Sequence, residues 1–211
     1  MKDYDLYHRL FHDSYDPEEE PYFSYGGYES ETLVIHPDDP TTDFLSAIYE
    51  NKGWDVLTDP FANDDTVTEL IKSHRRIICL GHGTQDGMYN LDRLIINTNH
   101  AHLLKEKETI CIWCNSDIYV KEHGLIPSLF TGMFISEKFE SEIYDIQTDE
   151  LSIELSNDIF SHAVGKYINS ENVLERVKRE YNDPDDPIVT FNRDRLYSNL
   201  QEVNNAEQSS Y

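Results

Sequence analysis

The sequence has few cysteines, few basic residues and no long hydrophobic run. Its three cysteines, Cys79, Cys111 and Cys114, are too few and odd in number for a disulfide framework, so reduced thiols are expected. No apolar stretch approaches the roughly 20 residues that a helix needs to cross a bilayer. The acidic, aromatic start of the chain is unlike a signal peptide. These absences predict a cytoplasmic protein with no membrane partner.

The shortage of basic residues is pronounced. Lysine and arginine number 17 against 41 aspartates and glutamates, which gives a formal net charge of −24. Such a surface repels phosphate backbones, so we expect no nucleic-acid partner. It favours basic partners, including basic peptides, although solubility alone would also explain the acidity.

Composition divides the 211 residues into three parts. Residues 1–30 are acidic and rich in tyrosine, and they form a predicted N-terminal arm. Residues 31–199 have the alternating apolar pattern of one globular domain. Residues 200–211 form a predicted polar tail.

The domain alternates predicted strands and helices. Short apolar runs predict strands at 32–36, 54–57, 76–80, 109–113 and 129–135, with a last edge strand at 187–191. Helical spacing predicts helices at 42–52, 64–71, 99–107, 148–168 and 171–181. Asp86-Gly87 predicts a hairpin after the third strand. This alternation indicates an α/β fold with a mostly parallel sheet covered on both faces.

Four side chains with reactive potential follow predicted strands: His36, His82, Cys114 and Ser136. Ligands of open α/β sheets bind beyond the carboxyl ends of strands, where these residues fall. His82 lies between Gly81 and Gly83, which allow a sharp turn and close approach to a ligand. A cysteine attacks as a thiolate, so a histidine on a neighbouring strand end is the partner that Cys114 needs. The backbone N–H groups of Gly83 and Cys114 are candidate oxyanion donors.

A strand that ends in His-Gly, followed by a strand that ends in Cys, resembles the caspase-like cysteine peptidases, which include caspases, metacaspases and clostripain-like enzymes. Residues 81–87 resemble their histidine loop with its small hairpin, and residues 110–117 resemble their cysteine strand. The resemblance covers roughly half of the chain. It implies a three-layer caspase-like sandwich, peptide-bond hydrolysis, Cys114 as nucleophile and His82 as general acid and base. It requires no cofactor and no metal.

The sequence departs from the caspases proper. They have Gln-Ala-Cys-x-Gly at the nucleophile, with a histidine roughly 50 residues upstream, whereas here Trp113-Cys114-Asn115 follows His82 by 32 positions. The departure favours a compact bacterial-type relative and puts cleavage after aspartate in doubt. Acidic residues near predicted strand exits predict instead a pocket for a basic side chain, as in metacaspases and clostripain-like relatives: Asp86, Asp117, Glu137 and Glu140. Their alternative role is that of solvated surface charges.

Other interpretations remain open. Cys79-x-x-His82 and Cys111-x-x-Cys114 have zinc-like spacing, but residues three apart in a strand point to opposite faces. A catalytically silent interaction module could use the acidic surface or the arm. A third interpretation is a flavodoxin-like ligand-binding domain, although no glycine-rich phosphate loop follows the first predicted strand. The oligomeric state is not predicted.

Overall fold

The computed structural model describes residues 30–91 and 93–199. The predicted tail and all of the predicted arm except Ser30 lie outside these residues. Nine strands are found in the described part: β1 Thr32–Ile35, β2 Asp55–Leu57, β3 Arg76–Leu80, β4 Gly83–Thr84, β5 Gly87–Asn90, β6 Arg93–Ile96, β7 Glu108–Ile112, β8 Leu129–Thr131 and β9 Leu196–Tyr197. Its helices are a 3₁₀ helix Asp43–Ile48, α1 Asp64–Ser73, α2 Thr98–Leu104, α3 Ser116–His123, α4 Lys138–Ile143, α5 Glu150–Tyr167, α6 Val173–Glu180 and α7 Pro187–Arg193.

The central sheet has six strands in the order β2-β1-β3-β7-β8-β9. The first five are parallel, and β9 at the edge is antiparallel to β8. This confirms the predicted α/β class with a mostly parallel sheet. Numbered along the chain, the five parallel strands have the order 2-1-3-4-5. This is a doubly wound arrangement, in which ligands bind beyond the carboxyl ends of the strands.

The sheet lies between two layers of helices because its strands have apolar residues on both faces. Ile77 and Cys79 of β3 join a core cluster with residues of α1, α2 and α3. Ile78 and Leu80 of the same strand join a second cluster with residues of the 3₁₀ helix, α5 and α6. Alternate residues of a strand face opposite ways, so a continuous apolar run is buried on both sides.

The predicted hairpin after β3 is confirmed. Strands β4 and β5 pair antiparallel around Asp86, and β6 adds a third strand to this small second sheet. The hairpin places a separate layer of chain next to His82.

The predicted edge strand at 187–191 is wrong, because this segment is helix α7. The Asp186 side chain accepts hydrogen bonds from the backbone N–H groups of Ile188 (2.7 Å) and Val189 (3.2 Å), and Pro187 occupies the first turn. An aspartate cap followed by proline starts a helix, and this local signal outweighs the β-branched run behind it. The edge position is taken by β9.

Two further predictions need correction. The predicted helix at 42–52 is a shorter 3₁₀ helix, and the predicted strand at 129–135 ends at Thr131. Helices α3 and α4 were not predicted. Both are short, with six to eight residues, and each follows a strand exit where polar residues hide the helical period.

Candidate functional site

His82 and Cys114 lie at the same edge of the central sheet. Strands β3 and β7 are parallel neighbours with Leu80 opposite Ile112, and each of the two residues lies two positions beyond that pair. Both side chains line one cleft. Other lining residues come from the loop after β1 and the 3₁₀ helix, from the loop after β8 and from helix α5: Thr42, Phe44, Leu45, Phe134, Ser136 and Phe160. The predicted shared crevice is therefore present.

The turn that carries His82 depends on its two glycines. Gly81 has φ +147°, a backbone conformation that residues with a side chain rarely adopt. A Cβ at Gly83 would lie 2.1 Å from Cδ1 of Trp113, so the indole ring packs directly on this backbone. The Trp113 Nε1–H also donates to the carbonyl of Thr84 at 3.1 Å. The histidine loop is thus fixed against the residue that precedes Cys114.

Cys114 stands between a strand and a tight turn into a helix. The next residue, Asn115, has φ 64° in the left-handed region, and α3 begins at Ser116. Thr131 holds this turn from β8, because its hydroxyl accepts from the Trp113 N–H at 3.1 Å and lies 2.8 Å from the Trp113 carbonyl. A non-glycine residue in the left-handed region is uncommon outside such constrained turns.

His82 is hydrogen-bonded to the loop after β1. Its Nε2 lies 2.6 Å from the hydroxyl of Thr41, and that hydroxyl lies 2.7 Å from Oδ1 of Asp39. Neither Asp39 nor Thr41 was predicted as a site residue. The sequence signal was weak, since a proline-bounded polar segment reads as a turn.

The Cys114 thiol donates to groups other than His82. It lies 3.3 Å from the carbonyl oxygen of Phe134 and 3.9 Å from Oε1 of Glu140. Burial, reinforced by the Glu140 carboxylate, raises the pKa of Cys114 to about 12. Among the described hydrogen bonds none joins His82 to Cys114. The thiol is therefore held protonated in this conformation.

Glu140 is buried with its charge compensated. Its Oε2 accepts from the backbone N–H of Ser136 at 2.7 Å, from the Ser136 hydroxyl at 3.2 Å and from the N–H of Glu137 at 3.1 Å. Three donors stabilise the carboxylate, which leaves Oε1 towards the thiol. Ser136, one of the four strand-end candidates, serves this carboxylate.

The two predicted oxyanion donors follow neighbouring strands, Gly83 after β3 and Cys114 after β7. The N–H of Tyr89 donates to the His82 carbonyl at 2.8 Å, and Gly83 faces Met88 in the antiparallel ladder. Hydrogen-bonded and non-hydrogen-bonded pairs alternate in such a ladder, so the Gly83 N–H points away from β5. The second predicted donor, the N–H of Cys114, lies just beyond the end of β7. The oxyanion role stays a prediction.

The predicted pocket acids are dispersed. Asp86 is exposed in the β4–β5 turn, and Asp117 lies in the first turn of α3 with Oδ1 buried and unpartnered. Glu137 is half-buried at the start of α4, and burial raises its pKa, with Glu140 and Asp39 adding to the rise and His82 opposing it. None of these three acids is among the residues that line the cleft. Glu137 is the one that lies close enough to His82 to interact electrostatically.

The remaining candidates have structural surroundings. The His36 ring lies 3.0 Å from the Tyr49 hydroxyl and 3.2 Å from the Thr42 hydroxyl, and burial lowers its pKa. Cys79 and Cys111 are opposite each other in β3 and β7, inside the core cluster on one face, whereas Cys114 packs against the cluster on the other. The zinc-like spacing thus distributes these sulfurs over both faces of the sheet.

Two more observations bear on function. In the part of the chain that the structure describes, no helix is long and apolar enough to span a membrane. No protein-family model matches the chain, and neither the curated proteins nor the solved structures contain a significant match. The function therefore has to be inferred from the geometry of the site.

Proposed function

We propose that this chain is a cysteine-dependent peptide hydrolase of the caspase-like type, with Cys114 as nucleophile and His82 as general acid and base. One observation carries the proposal: the two residues end adjacent parallel strands and line the same cleft. A nucleophile and a base that can reach one another are the minimum for covalent acyl transfer. The doubly wound strand order supports it, because ligands bind at this edge of such sheets.

The reaction would begin with transfer of the Cys114 proton to His82. The thiolate sulfur attacks the peptide carbonyl carbon, and the carbonyl electron pair moves onto oxygen, where the N–H groups of Gly83 and Cys114 are the proposed donors. The carbonyl re-forms as the C–N bond breaks, and His82 returns the proton to the departing amine. Water, deprotonated by His82, then hydrolyses the thioester and releases the acid and the Cys114 thiol.

The observed conformation has to change before that reaction. The thiol must leave the Phe134 carbonyl and Glu140, since its pKa of about 12 there disfavours a thiolate. Rotation about the Cα–Cβ bond moves Sγ without moving the backbone. Substrate that displaces the thiol from Glu140 would favour ionisation by taking the sulfur away from a negative charge.

Preference for a basic residue before the scissile bond is part of the proposal. Glu140 and Glu137 act electrostatically on Cys114, and Glu137 also interacts with His82. The whole chain has a net charge of −24. A negative surrounding attracts lysine or arginine side chains and disfavours aspartate. Basic peptides or proteins are the proposed substrates, and the cytoplasm is the proposed location.

The test is covalent labelling by peptide electrophiles that differ only in the residue at the cleavage position. We expect an arginine or lysine probe to label Cys114, Cys114→Ala to abolish labelling, and His82→Ala to slow it by roughly 100-fold or more, the usual contribution of a general base. His102→Ala, a change at an exposed helical histidine, should leave the labelling rate unchanged. A faster reaction with the aspartate probe would contradict the specificity and leave the dyad intact.

A catalytically silent interaction module is the second candidate. The observation that favours it is the resting geometry, in which His82 bonds to Thr41 and the thiol bonds to Phe134 and Glu140. If no probe labels Cys114 and no peptide is cleaved, the module is the better description.

A further inference from the structure

The loop after β1 reaches His82 through two short hydrogen bonds. The Thr41 hydroxyl oxygen lies 2.6 Å from Nε2 of His82 and 2.7 Å from Oδ1 of Asp39. The backbone N–H of Thr41 donates to the same carboxylate oxygen at 2.9 Å. The loop is anchored in turn, because the Asp38 N–H donates to the Thr58 carbonyl at 2.9 Å and the Thr42 N–H to the Asp39 carbonyl at 2.9 Å. Thr41 is therefore presented to His82 from a fixed backbone.

Counting protons assigns the direction of each bond. An ionised carboxylate only accepts, so the single hydroxyl proton of Thr41 points to Asp39. The hydroxyl oxygen must then accept at its other short contact, so the proton there belongs to Nε2 of His82. Neutral imidazole has one N–H, which makes Nδ1 the nitrogen with the free electron pair.

We infer that Asp39 and Thr41 are positioning residues for His82, which hold its ring in the Nε2–H tautomer and leave Nδ1 as the basic atom. The catalytic consequence rests on the proposed function: Nδ1 is the atom that takes the Cys114 proton. The tautomer is a property of the folded chain and is measurable whether or not the protein is an enzyme.

The charge of Asp39 adds a second effect. When His82 gains a proton, the Asp39 carboxylate stabilises the imidazolium through Thr41. Glu137, at the start of α4, also acts electrostatically on His82.

The experiment is ¹⁵N NMR of the histidine rings in full-length protein, with the His82 signals assigned by their loss in His82→Gln. When the His82 ring is neutral, the wild type should show Nε2 protonated and Nδ1 unprotonated. Thr41→Val, which keeps the shape and removes the hydroxyl, should give a mixture of tautomers, and Thr41→Ser should restore the wild-type pattern. Asp39→Ala, which removes the acceptor of the Thr41 hydroxyl proton, should also give a mixture of tautomers, whereas Asp38→Ala, the same change at an exposed neighbour, should leave the tautomer unchanged.

Peptide turnover gives an independent measure. Thr41→Val should lower kcat about 10- to 100-fold with little change in KM, part of what a general base contributes. An unchanged His82 tautomer in Thr41→Val, or a wild type with Nδ1 protonated, overturns the inference. Wild-type protein without turnover but with the expected tautomer changes supports the positioning role and refutes the proposed function.

Discussion

At the scale of single residues, burial and the neighbouring Glu140 carboxylate disfavour ionisation of the Cys114 thiol. The carboxylate is 5% exposed and directs one oxygen to the sulfur, while three donors hold the other oxygen. A charge held beside the sulfur opposes formation of a second charge there. The thiol predicted to be the nucleophile is consequently protected while it contacts Glu140.

Glu140→Gln should make Cys114 easier to ionise. The glutamine oxygen can keep the backbone donors and its amide N–H₂ can face the sulfur, so the pKa of Cys114 should fall from about 12. Each unit of fall gives about tenfold more thiolate at a pH below both values. Iodoacetamide labelling followed by mass spectrometry across pH measures this rate. Glu142→Gln, an exposed change on the same helix, is the control, and an equal labelling rate in both variants would show that Glu140 does not restrain the thiol.

At the scale of elements, α7 supports the loop that carries Phe134. The Asn192 side chain accepts from the Ile135 N–H at 2.7 Å and donates to the Ile135 carbonyl at 2.9 Å. These bonds satisfy a buried backbone segment that has already left β8. The partner of the Cys114 thiol is thus held in place by a helix near the end of the described chain.

Removing the α7 cap should cost measurable stability. Asp186→Ala deletes the acceptor for two backbone N–H groups, and we expect a loss of about 1 kcal/mol in the free energy of unfolding. Asp186→Asn should retain most of it. Urea unfolding gives the values, with Asp185→Ala, an exposed neighbour, as the control. Equal stabilities for Asp186→Ala and Asp185→Ala would show that the cap does not stabilise α7.

Strands that depend on a local run of apolar residues could be predicted from the sequence. The run at 76–80 became β3 with the predicted bounds, because four consecutive apolar residues after Arg76 fit a strand buried on both faces. The contact of Thr41 with His82 spans 41 positions, and no periodicity in either segment reports it. The direction of the Cys114 thiol depends on Phe134 and Glu140, which the loop after β8 brings back. The ends of the first four parallel strands along the chain were predictable to within one residue, but side-chain partners across loops were not.

At the scale of the whole molecule, self-repulsion opposes compactness. A net charge of −24 on 211 residues destabilises the folded state most where salt is scarce. Raising ionic strength from roughly 0.01 M to 0.15 M shortens the screening length from about 30 Å to about 8 Å. The midpoint of thermal unfolding should rise by about 2 °C or more, the response of a domain of this size to roughly 1 kcal/mol. Calorimetry in NaCl and in KCl at equal ionic strength tests it, and a midpoint that is unchanged or falls would contradict it.

The packing of Trp113 on Gly83 makes the histidine loop visible to fluorescence. The chain has two tryptophans, and Trp113 is 2% exposed with its indole N–H bonded to the loop at Thr84. Trp54 lies elsewhere, where the cations of Lys52 and Arg76 each lie over its indole ring. In a Trp54→Phe protein the remaining emission comes from a ring packed on the backbone of the loop that carries His82. Movement of the loop would hydrate that ring and shift its emission to longer wavelength, so ligand binding at this cleft can be followed without any added dye.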